Sequence, residues 1–199
     1  MLPARDNPFA VHRVLRLRTR LDEAGWAVLL ARLAAHRWRG AIVGPHGSGK
    51  TTLLEDLGAR FAADGWRVHW IRLSADVRAV PAGFFSTVAR TLGPGDALLV
   101  DGAEQLGAAA WWALGLRVRR VGAMIATTHR EGRLPSVHRC TTSPELLSEL
   151  VAALGETIAP SEAIALHTRH RGNIREALRE LYDVASVRGP GLTSSGPAA

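Results

Sequence analysis

A glycine-rich stretch that contains the only lysine of the chain carries the clearest chemistry in the sequence. Residues 44–52 read Gly-Pro-His-Gly-Ser-Gly-Lys-Thr-Thr and fit the pattern G-x-x-x-x-G-K-[ST]. Glycines let successive backbone N–H groups turn inward around phosphate oxygens, and the helix that follows adds the positive end of its dipole. The pattern therefore predicts a phosphate-binding loop. The residues predicted to bind the nucleotide there are Gly44, Pro45, His46, Gly47, Ser48, Gly49, Lys50, Thr51 and Thr52.

The lysine and the first threonine of this stretch have separate predicted roles. Of the 25 Lys and Arg residues all but one are arginine, which indicates that Lys50 serves a site that needs a compact, rotatable charge. Lys50 is expected to reach the β- and γ-phosphates, and the Thr51 hydroxyl is expected to ligate Mg²⁺. The alternative interpretation is a glycine-rich turn between a strand and a helix, without a ligand.

A carboxylate ends a nearly continuous apolar segment farther along the chain. Residues 97–101 read Ala-Leu-Leu-Val-Asp, so Asp101 stands at the carboxyl end of a predicted buried strand, some fifty residues after Thr51. An aspartate at this place in a parallel sheet is expected to hold the coordination shell of Mg²⁺ and to take part in catalysis. The alternative is that Asp101 caps the following helix.

The elements that must position these residues alternate between strand and helix. A helix is predicted over residues 21–36, and a buried strand over 41–43 runs into the glycine-rich stretch. Repeated alternation of this kind indicates an α/β fold with a parallel sheet covered by helices on both faces. The further predicted helices are 50–64, 81–92 and 105–116, and the further predicted strands are 67–73, 97–101, 122–127 and 136–140.

Three predicted helices replace this alternation in the last part of the chain. They begin at Ser143, Pro160 and Asn173, which are typical residues for a helix start, and they end near residues 154, 170 and 187. A tail rich in Pro, Gly, Ser and Ala follows and is predicted to be disordered. The expected segments are an N-terminal basic segment and helix (1–38), a nucleotide-binding core (39–142), a helical lid (143–188) and the tail (189–199).

Taken together, these motifs resemble those of a known family. Residues 40–186 are similar to the P-loop NTPases and, among them, to the AAA+ and related ATPases, with Gly44–Thr51 as the Walker A motif and Asp101 as the Walker B acid. The resemblance implies a three-layer parallel-sheet core with a small C-terminal helical lid, and Mg·ATP as the ligand. Family members usually place a glutamate directly after the Walker B aspartate to polarise the attacking water, whereas this chain has Gly102. Glu104 is expected either to act as the catalytic glutamate or to favour the helix start through the dipole.

The resemblance also implies polar residues that sense the γ-phosphate. The family carries one at the end of the strand that lies between the Walker A and Walker B strands, and Thr127 or Thr128 is expected to take that role. It carries another at the beginning of a lid helix, where residues 171–175 resemble the family's Gly-Asn-x-Arg opening and Arg175 is expected to point toward the phosphates. The alternatives are a strand-end threonine favoured by β propensity and a solvated helix arginine.

Other side chains have less specific counterparts in the family. Phe9 or Val11 is expected to border the adenine base, or else to belong to a mobile terminus. Of the adjacent Trp111 and Trp112, only one can readily face the sheet, and the other marks a surface for a partner. The arginines that could reach the nucleotide of a neighbouring subunit, or could equally be solvated surface, are Arg117, Arg119, Arg120, Arg130 and Arg133.

Composition excludes several classes of protein. The chain has 199 residues, 47% of them hydrophobic, and its one cysteine, Cys140, rules out an internal disulfide and a cysteine-rich zinc site. Cys140 is interpreted as a small buried hydrophobic residue. The sequence contains neither a run of about 18 apolar residues nor an apolar signal segment at its beginning, so we expect a cytoplasmic protein that does not enter a membrane.

Positive charge is concentrated near the beginning of the chain. The formal net charge is +7, and the first 40 residues carry eight arginines against three acidic residues. This excess permits binding to nucleic acid or to an acidic partner, although no base-reading module is found. The arginines that fall between apolar residues in this segment are Arg13, Arg16, Arg18 and Arg20.

Three functions are compatible with these motifs. The first is an AAA+-like ATPase that hydrolyses Mg·ATP to drive or switch an interaction with a protein partner or a second copy. The second is a small-molecule or nucleotide kinase, and the third is a nucleotide-binding adaptor that hydrolyses little, which Gly102 favours. The order of the strands in the sheet distinguishes the ATPase from the kinase. The ATPase places the strand of Thr127 between the strands that lead to Gly44 and Asp101, whereas a kinase-like arrangement pairs those two strands directly.

Overall fold

A sheet of five parallel strands forms the centre of the computed structural model. Its strand order is β2-β3-β4-β1-β5, and each neighbouring pair runs parallel. β4 therefore lies between β1 and β3, as the ATPase interpretation predicted, and that prediction is confirmed. The strands are β1 Arg39–Val43, β2 Arg67–Arg72, β3 Asp96–Asp101, β4 Ala123–Thr128 and β5 Ser136–Arg139.

The structure describes residues 7–10, 21–81, 83–85 and 89–188. Three expectations from the sequence lie outside the described residues, namely the N-terminal arginines 13–20, the adenine contact of Val11 and the disordered tail 189–199. Within the described part of the chain, none of the helices has both the length and the apolar character that a bilayer crossing requires.

Burial along the strands explains why their sequences differ. β3 and β4 lie inside the sheet and are almost entirely buried, so they read as continuous apolar runs. β2 and β5 are edge strands, with the sequences Arg-Val-His-Trp-Ile-Arg and Ser-Val-His-Arg, and most of their residues retain solvent exposure. Charged and polar side chains on edge strands discourage pairing with another chain.

Helices cover both faces of the sheet and complete three layers. The first face carries α1 Glu23–Ala35 and α2 Lys50–Ala63, and the second carries α3 Ala108–Arg117. The buried apolar side chains form two clusters, a first one between the sheet and the helices α1 and α2, and a second one between the sheet and α3. Because side chains alternate along a strand, Leu99 of β3 packs in the first cluster, whereas Leu98 packs in the second. The predicted α/β fold class is confirmed.

One predicted helix does not form as the pattern indicated. The helix predicted over 81–92 is wrong at residues 89–92, because 89–91 form a turn and Leu92 belongs to no regular element. A helical segment is described only at 83–85. The backbone N–H of Ala89 bonds to the carbonyl of Phe84, five residues earlier, at 2.8 Å, which is the spacing of a π turn rather than of an α-helix. Phe84 and Leu92 are buried in the second cluster, so their apolar spacing reflects packing and not a regular helix.

The helix predicted over 105–116 begins later than expected. A short 3₁₀ turn, Ala103–Gln105, follows β3, and the chain is extended at Gly107 before α3 begins. The break separates Glu104 from α3, so the dipole of that helix does not act on its carboxylate as the sequence suggested.

The chain divides into two compact units, of which the sheet with its helices, residues 19–44 and 49–140, is one. The other comprises residues 1–18, 45–48 and 141–199. Its described helices are α4 Pro144–Ala153, α5 Pro160–Arg169 and α6 Ile174–Arg188, which begin where the sequence placed them. The Ser143 hydroxyl caps α4 by accepting from the N–H of Leu146 at 3.2 Å.

A short N-terminal segment completes the core of this helical unit. Phe9 is 2% exposed and packs among Leu147, Val151 and Leu166. Asn7 fixes the segment, because its side-chain nitrogen donates at 2.9 Å to the Tyr182 carbonyl and to the Ser186 hydroxyl. Phe9 is therefore part of the core of the helical unit, and its contact with an adenine base stays a prediction.

Candidate functional site

The glycine-rich stretch between β1 and α2 needs glycine at two positions for conformational reasons. Gly47 has φ +70° and Gly49 has φ +83°, in the left-handed region that glycine adopts at little cost. Gly49 is the N-cap of α2 and supplies no side chain to its first N–H groups. Unpaired N–H groups at a helix N-terminus, together with the helix dipole, favour an anion.

Three predicted site residues meet at the carboxyl edge of the sheet. Thr51 is the second residue of α2, and its hydroxyl lies 3.1 Å and 3.0 Å from the two carboxylate oxygens of Asp101 at the end of β3. Thr127, near the end of β4 and 1% exposed, donates its hydroxyl to Asp101 Oδ1 at 2.6 Å. The same hydroxyl accepts from the N–H of Gly102 at 2.8 Å, so the orientation of Thr127 is fixed from both sides.

Thr128 is oriented differently from its neighbour. Its hydroxyl donates to the Arg130 carbonyl at 2.8 Å and thereby shapes the turn that follows β4. Of the two threonines that the sequence proposed as sensors, only Thr127 bonds to Asp101.

The backbone at Gly102 explains why no glutamate stands directly after Asp101 in this chain. Gly102 has φ +75°, and a Cβ built there would lie 2.6 Å from the Leu73 carbonyl oxygen. A glutamate side chain at this position would therefore be strained and would clash with backbone atoms. The nearest acidic residue in the sequence after Asp101 is Glu104, one turn farther on.

Glu104 pairs with a histidine that sequence reasoning did not select. Glu104 Oε1 lies 2.7 Å from Nε2 of His129, and the two side chains are 24% and 21% exposed. His129 Nδ1 lies 3.2 Å from the carbonyl oxygen of Gly44 at the end of β1. The other carboxylate oxygen, Oε2, is buried and has no hydrogen-bond partner among the described residues. The signal that could have identified His129 is its position directly after the strand expected to carry the sensor.

Lys50 is buried at the first turn of α2, close enough to Cys140 to influence its thiol. Lys50 is 8% exposed, and Cys140 lies in the core cluster beneath α2. Burial raises the pKa of the Cys140 thiol to about 11, against a smaller opposing effect of the Lys50 charge. The interpretation of Cys140 as a buried hydrophobic residue is confirmed.

The oxygens of Thr51 and Asp101 fit a magnesium ion. Mg²⁺ prefers oxygen ligands and is usually held by one or two carboxylates, with phosphate oxygens and water completing its shell. A hydroxyl and a carboxylate within 3.1 Å of one another provide such a partial shell. Among the described residues, no group of three or more His, Cys, Asp and Glu side chains is placed to hold a metal by itself.

In the helical unit, residues 45–48 lie against the beginning of α6. A Cβ on Gly47 would collide with Asn173 Oδ1 and would lie 3.1 Å from the backbone nitrogen of Arg175, so close approach is a second reason for glycine. Asn173 caps α6 by accepting from the N–H of Glu176 at 3.3 Å, as the sequence predicted. Arg175 stands in the first turn of α6 with its side chain exposed, and its sensor role stays a prediction.

Two of the five arginines proposed as intersubunit residues already contact aromatic rings in their own unit. The guanidinium of Arg133 lies 5.1 Å from the Trp111 ring centroid and donates to the Leu106 carbonyl, whereas that of Arg117 lies 4.7 Å from the Phe85 ring. The other three side chains, Arg119, Arg120 and Arg130, are exposed.

The adjacent tryptophans of α3 point in different directions, as expected. Trp111 is partly buried against the second cluster of the sheet unit. Trp112 is 68% exposed. Only one of the two therefore contributes to the core.

Solved structures of NtrX from Brucella abortus are similar to this chain. The complex of NtrX with ATP superposes with a TM-score of 0.55 at 16% identity, over 87% of this chain and 54% of that chain. The complex with ADP gives a TM-score of 0.53 at 16% identity, over 88% and 53% respectively. No protein-family model and no curated protein matches the sequence. This chain spans about half the length of the NtrX chains, and at this identity the likeness shows a shared fold, an α/β domain built on a parallel sheet.

Proposed function

We propose that this chain binds Mg·ATP through residues 44–52 and is an AAA+-like ATPase. The observation that carries the proposal is the hydrogen-bonded group Thr51–Asp101–Thr127 at the carboxyl edge of the sheet. In open parallel sheets, ligands bind outside the carboxyl ends of the strands. These three residues bring together a helix N-terminus, a carboxylate and a strand-end hydroxyl, the groups that phosphoryl transfer requires.

Two observations support the proposed nucleotide binding, namely the backbone conformation of the glycine-rich loop and the similarity in fold to NtrX. Gly47 and Gly49 adopt the left-handed conformations that let a loop present its N–H groups to phosphate oxygens. Lys50 is the cation assigned to the β- and γ-phosphates, and NtrX, the protein similar in fold, has been solved with ATP and with ADP. ATP is therefore the ligand we assign to residues 44–52.

Strand order favours an ATPase over a kinase. β4 separates β1 from β3, so Thr127 emerges between the strands that lead to Gly44 and Asp101. In a kinase-like sheet, the strands that correspond to β1 and β3 would pair directly. A hydroxyl placed there can respond to the γ-phosphate without a second substrate.

Magnesium is assigned to Thr51 and Asp101. When bound with the nucleotide, the ion supplies charge neutralisation to the phosphate oxygens. Thr51 and Asp101 hold it in place, and Thr127 keeps the Asp101 carboxylate from rotating. The short bond from the Thr127 hydroxyl to Asp101 Oδ1, at 2.6 Å, supports that role.

Hydrolysis is assigned to Glu104 as the general base. The oxygen of a water molecule bonds to the γ-phosphorus while the bond from phosphorus to the β–γ bridging oxygen breaks, which yields ADP and phosphate. Glu104 accepts the proton that the water loses. Arg175 is assigned to the γ-phosphate charge, as a second sensor. A nucleotide-binding adaptor that hydrolyses little is the second candidate. Gly102 stands where the similar ATPases carry the catalytic glutamate, and the next acidic residue, Glu104, lies one turn farther on.

The wider biological role follows from the same interpretation. We assign residues 39–142 to the nucleotide-binding core and 143–188 to a lid, and we place the protein in the cytoplasm. Nucleotide turnover would drive or switch an interaction with a protein partner or a second copy. The N-terminal arginines 13–20 offer a further contact with nucleic acid.

Phosphate release from Mg·ATP without any second substrate tests the proposal. The wild type is expected to release phosphate, whereas Lys50→Ala is expected to lose most of that activity because the phosphates lose their cation. Arg90→Ala, which removes an exposed charge, is the control and should behave as the wild type.

Each outcome selects one function. Release that increases more than linearly with protein concentration supports self-association. Release only after an alcohol or nucleotide acceptor is added identifies a kinase. ATP binding without release identifies the adaptor, and the absence of binding by the wild type would overturn the assignment of residues 44–52.

A further inference from the structure

We propose that His129 is a positioning residue that holds Glu104 for hydrolysis, an inference that rests on the function proposed above. His129 does not touch the substrate in this proposal. It acts through Glu104, whose carboxylate it fixes by one oxygen while the other oxygen is left to accept from the attacking water.

The contacts of His129 connect two separate strands of the site. Its Nε2 lies 2.7 Å from Glu104 Oε1, after the end of β3. Its Nδ1 lies 3.2 Å from the Gly44 carbonyl, where β1 ends. A carboxylate and a carbonyl oxygen accept hydrogen bonds, so each ring nitrogen that carries a proton can donate to one of them. Because His129 follows directly after the last residue of β4, its ring ties Glu104 to the end of that strand.

The second carboxylate oxygen of Glu104 indicates the function of the contact between Glu104 and His129. Oε2 is buried and has no hydrogen-bond partner among the described residues. Buried polar atoms are nearly always paired, with protein or with ordered water, and an exception calls for an explanation. A water molecule that donates to Oε2 would satisfy the atom, and the same hydrogen bond is the one through which a general base takes a proton.

Local geometry also explains why Glu104 needs a positioning residue. Glu104 stands in a single 3₁₀ turn, Ala103–Gln105, between Gly102 with its positive φ and the extended Gly107. A turn of three residues gives little restraint to a glutamate side chain with three rotatable bonds. The contact with Nε2 supplies the restraint that a strand-end position would otherwise give.

Substitutions of His129 separate its two contacts. His129→Gln keeps an amide donor near the place of Nε2, whereas His129→Asn keeps one near the place of Nδ1 only. We expect kcat for phosphate release to fall by about 10- to 100-fold in His129→Ala and His129→Asn, at or below the lower end of the roughly 10²- to 10⁴-fold that a general base contributes, because Glu104 itself is still present. His129→Gln is expected to retain most of kcat. The Kd for a fluorescent ATP analogue is expected to change by less than about threefold in all three.

His36→Gln is the matched control, because His36 is exposed at the end of α1. Its kcat should equal that of the wild type. Equal losses in His129→Gln and His129→Ala would show that the contact with Glu104 is not what matters. A loss of ATP affinity that accounts for the whole effect would show that His129 serves binding instead, and either result overturns the proposal.

A double-mutant cycle tests whether His129 acts through Glu104. If it does, His129→Ala should cause almost no further loss of kcat in a Glu104→Gln background, because the group that it positions is already inactive. Losses that multiply across the two substitutions would overturn the proposal.

NMR spectroscopy detects the contact between His129 and Glu104 without relying on ATP hydrolysis. In ¹⁵N-labelled protein, the ring nitrogens of His129 are assigned by comparison with His129→Gln. Glu104→Gln is expected to move the Nε2 resonance and to leave those of His36 in place. Wild-type phosphate release with an unmoved Nε2 resonance overturns the positioning role alone, whereas the absence of wild-type release overturns the proposed hydrolysis and the positioning role with it.

Discussion

Gly102, which stands where the similar AAA+ ATPases carry a glutamate, has a backbone conformation that favours glycine. The positive φ at that position turns the chain out of β3 and away from the Leu73 carbonyl, which lies where a Cβ would stand. The sequence shows the missing glutamate, but it does not show the dihedral angle that excludes one. The next acidic residue after Asp101 is therefore Glu104, the residue to which we assign the role of general base in the proposed hydrolysis.

Replacing Gly102 by alanine is expected to destabilise the protein by about 1–3 kcal/mol. A left-handed backbone costs a non-glycine residue about 1 kcal/mol or more, and the contact of 2.6 Å with a backbone oxygen cannot relax by a side-chain rotation. The free energy of unfolding from urea titrations measures the effect. Gly115→Ala, inside α3 with open space around its Cβ position, is the control and should be neutral or stabilising by up to about 1 kcal/mol. Equal effects of the two substitutions would contradict the assigned strain.

At the scale of elements, a buried carboxylate connects the beginning of β3 to β2 and to the preceding loop. Asp96 is 1% exposed and accepts hydrogen bonds from Arg67 at 2.8 Å and from the Gly93 N–H at 2.7 Å, and it lies 2.8 Å from His69 Nε2. Burial alone would raise the pKa of Asp96, but together the bonds from His69, Gly93 and Arg67 outweigh it and lower that pKa. Asp96 thus fixes the register in which Arg67 stands opposite it.

The lowered pKa of Asp96 predicts a loss of stability in acid. A carboxylate with a folded pKa below its unfolded value stabilises the protein at pH above the unfolded value, and the contribution disappears as pH falls through the folded pKa. Wild-type stability should therefore decrease below about pH 5, and Asp96→Asn should flatten that part of the profile at a lower overall stability. Urea midpoints between about pH 3 and pH 7 measure it. Asp76→Asn, at an exposed site, is the control, and an unaltered slope in Asp96→Asn would refute the assignment.

Most of the helices and strands could be predicted because their apolar patterns are local. β3 and β4 are apolar runs, and α1 buries Trp26, Leu29 and Leu33 at helical spacing. The failure at residues 89–92 has the opposite cause. Phe84 and Leu92 are buried by contacts with distant strands, so their spacing carried no information about a helix. Strand order, in turn, was predicted from the order of motifs in a similar family and not from any local pattern.

The candidate site was predictable only where a motif names the residue. Lys50, Thr51 and Asp101 follow from spacing and from the types of residue that phosphate and magnesium require. His129 could not be found in this way, because its partners Glu104 and Gly44 are separated from it in sequence and meet only when the strands pair.

At the scale of the whole molecule, nucleotide binding is expected to raise the free energy of unfolding. A ligand that binds only the folded state at 100 times its Kd stabilises by about 2.7 kcal/mol. Mg·ATP should therefore increase the urea midpoint of the wild type and should have little effect on Lys50→Ala at the same concentration. Arg90→Ala is again the control and should respond as the wild type does. An equal increase in Lys50→Ala would show that ATP binds elsewhere.

The chain also contains one lysine and one cysteine, and the structure places both where α2 meets the sheet. With a thiol pKa of about 11, Cys140 is a thiolate in about one molecule in a thousand at three pH units below that value. Maleimides would therefore leave it almost untouched, and a cysteine introduced at an exposed position such as His36 would carry nearly all of a fluorescent or spin label. An acylating reagent, in turn, has a single side-chain amine to modify. Protection of Lys50 from acylation by ATP would report occupancy of residues 44–52 directly in a mass spectrum of the intact protein.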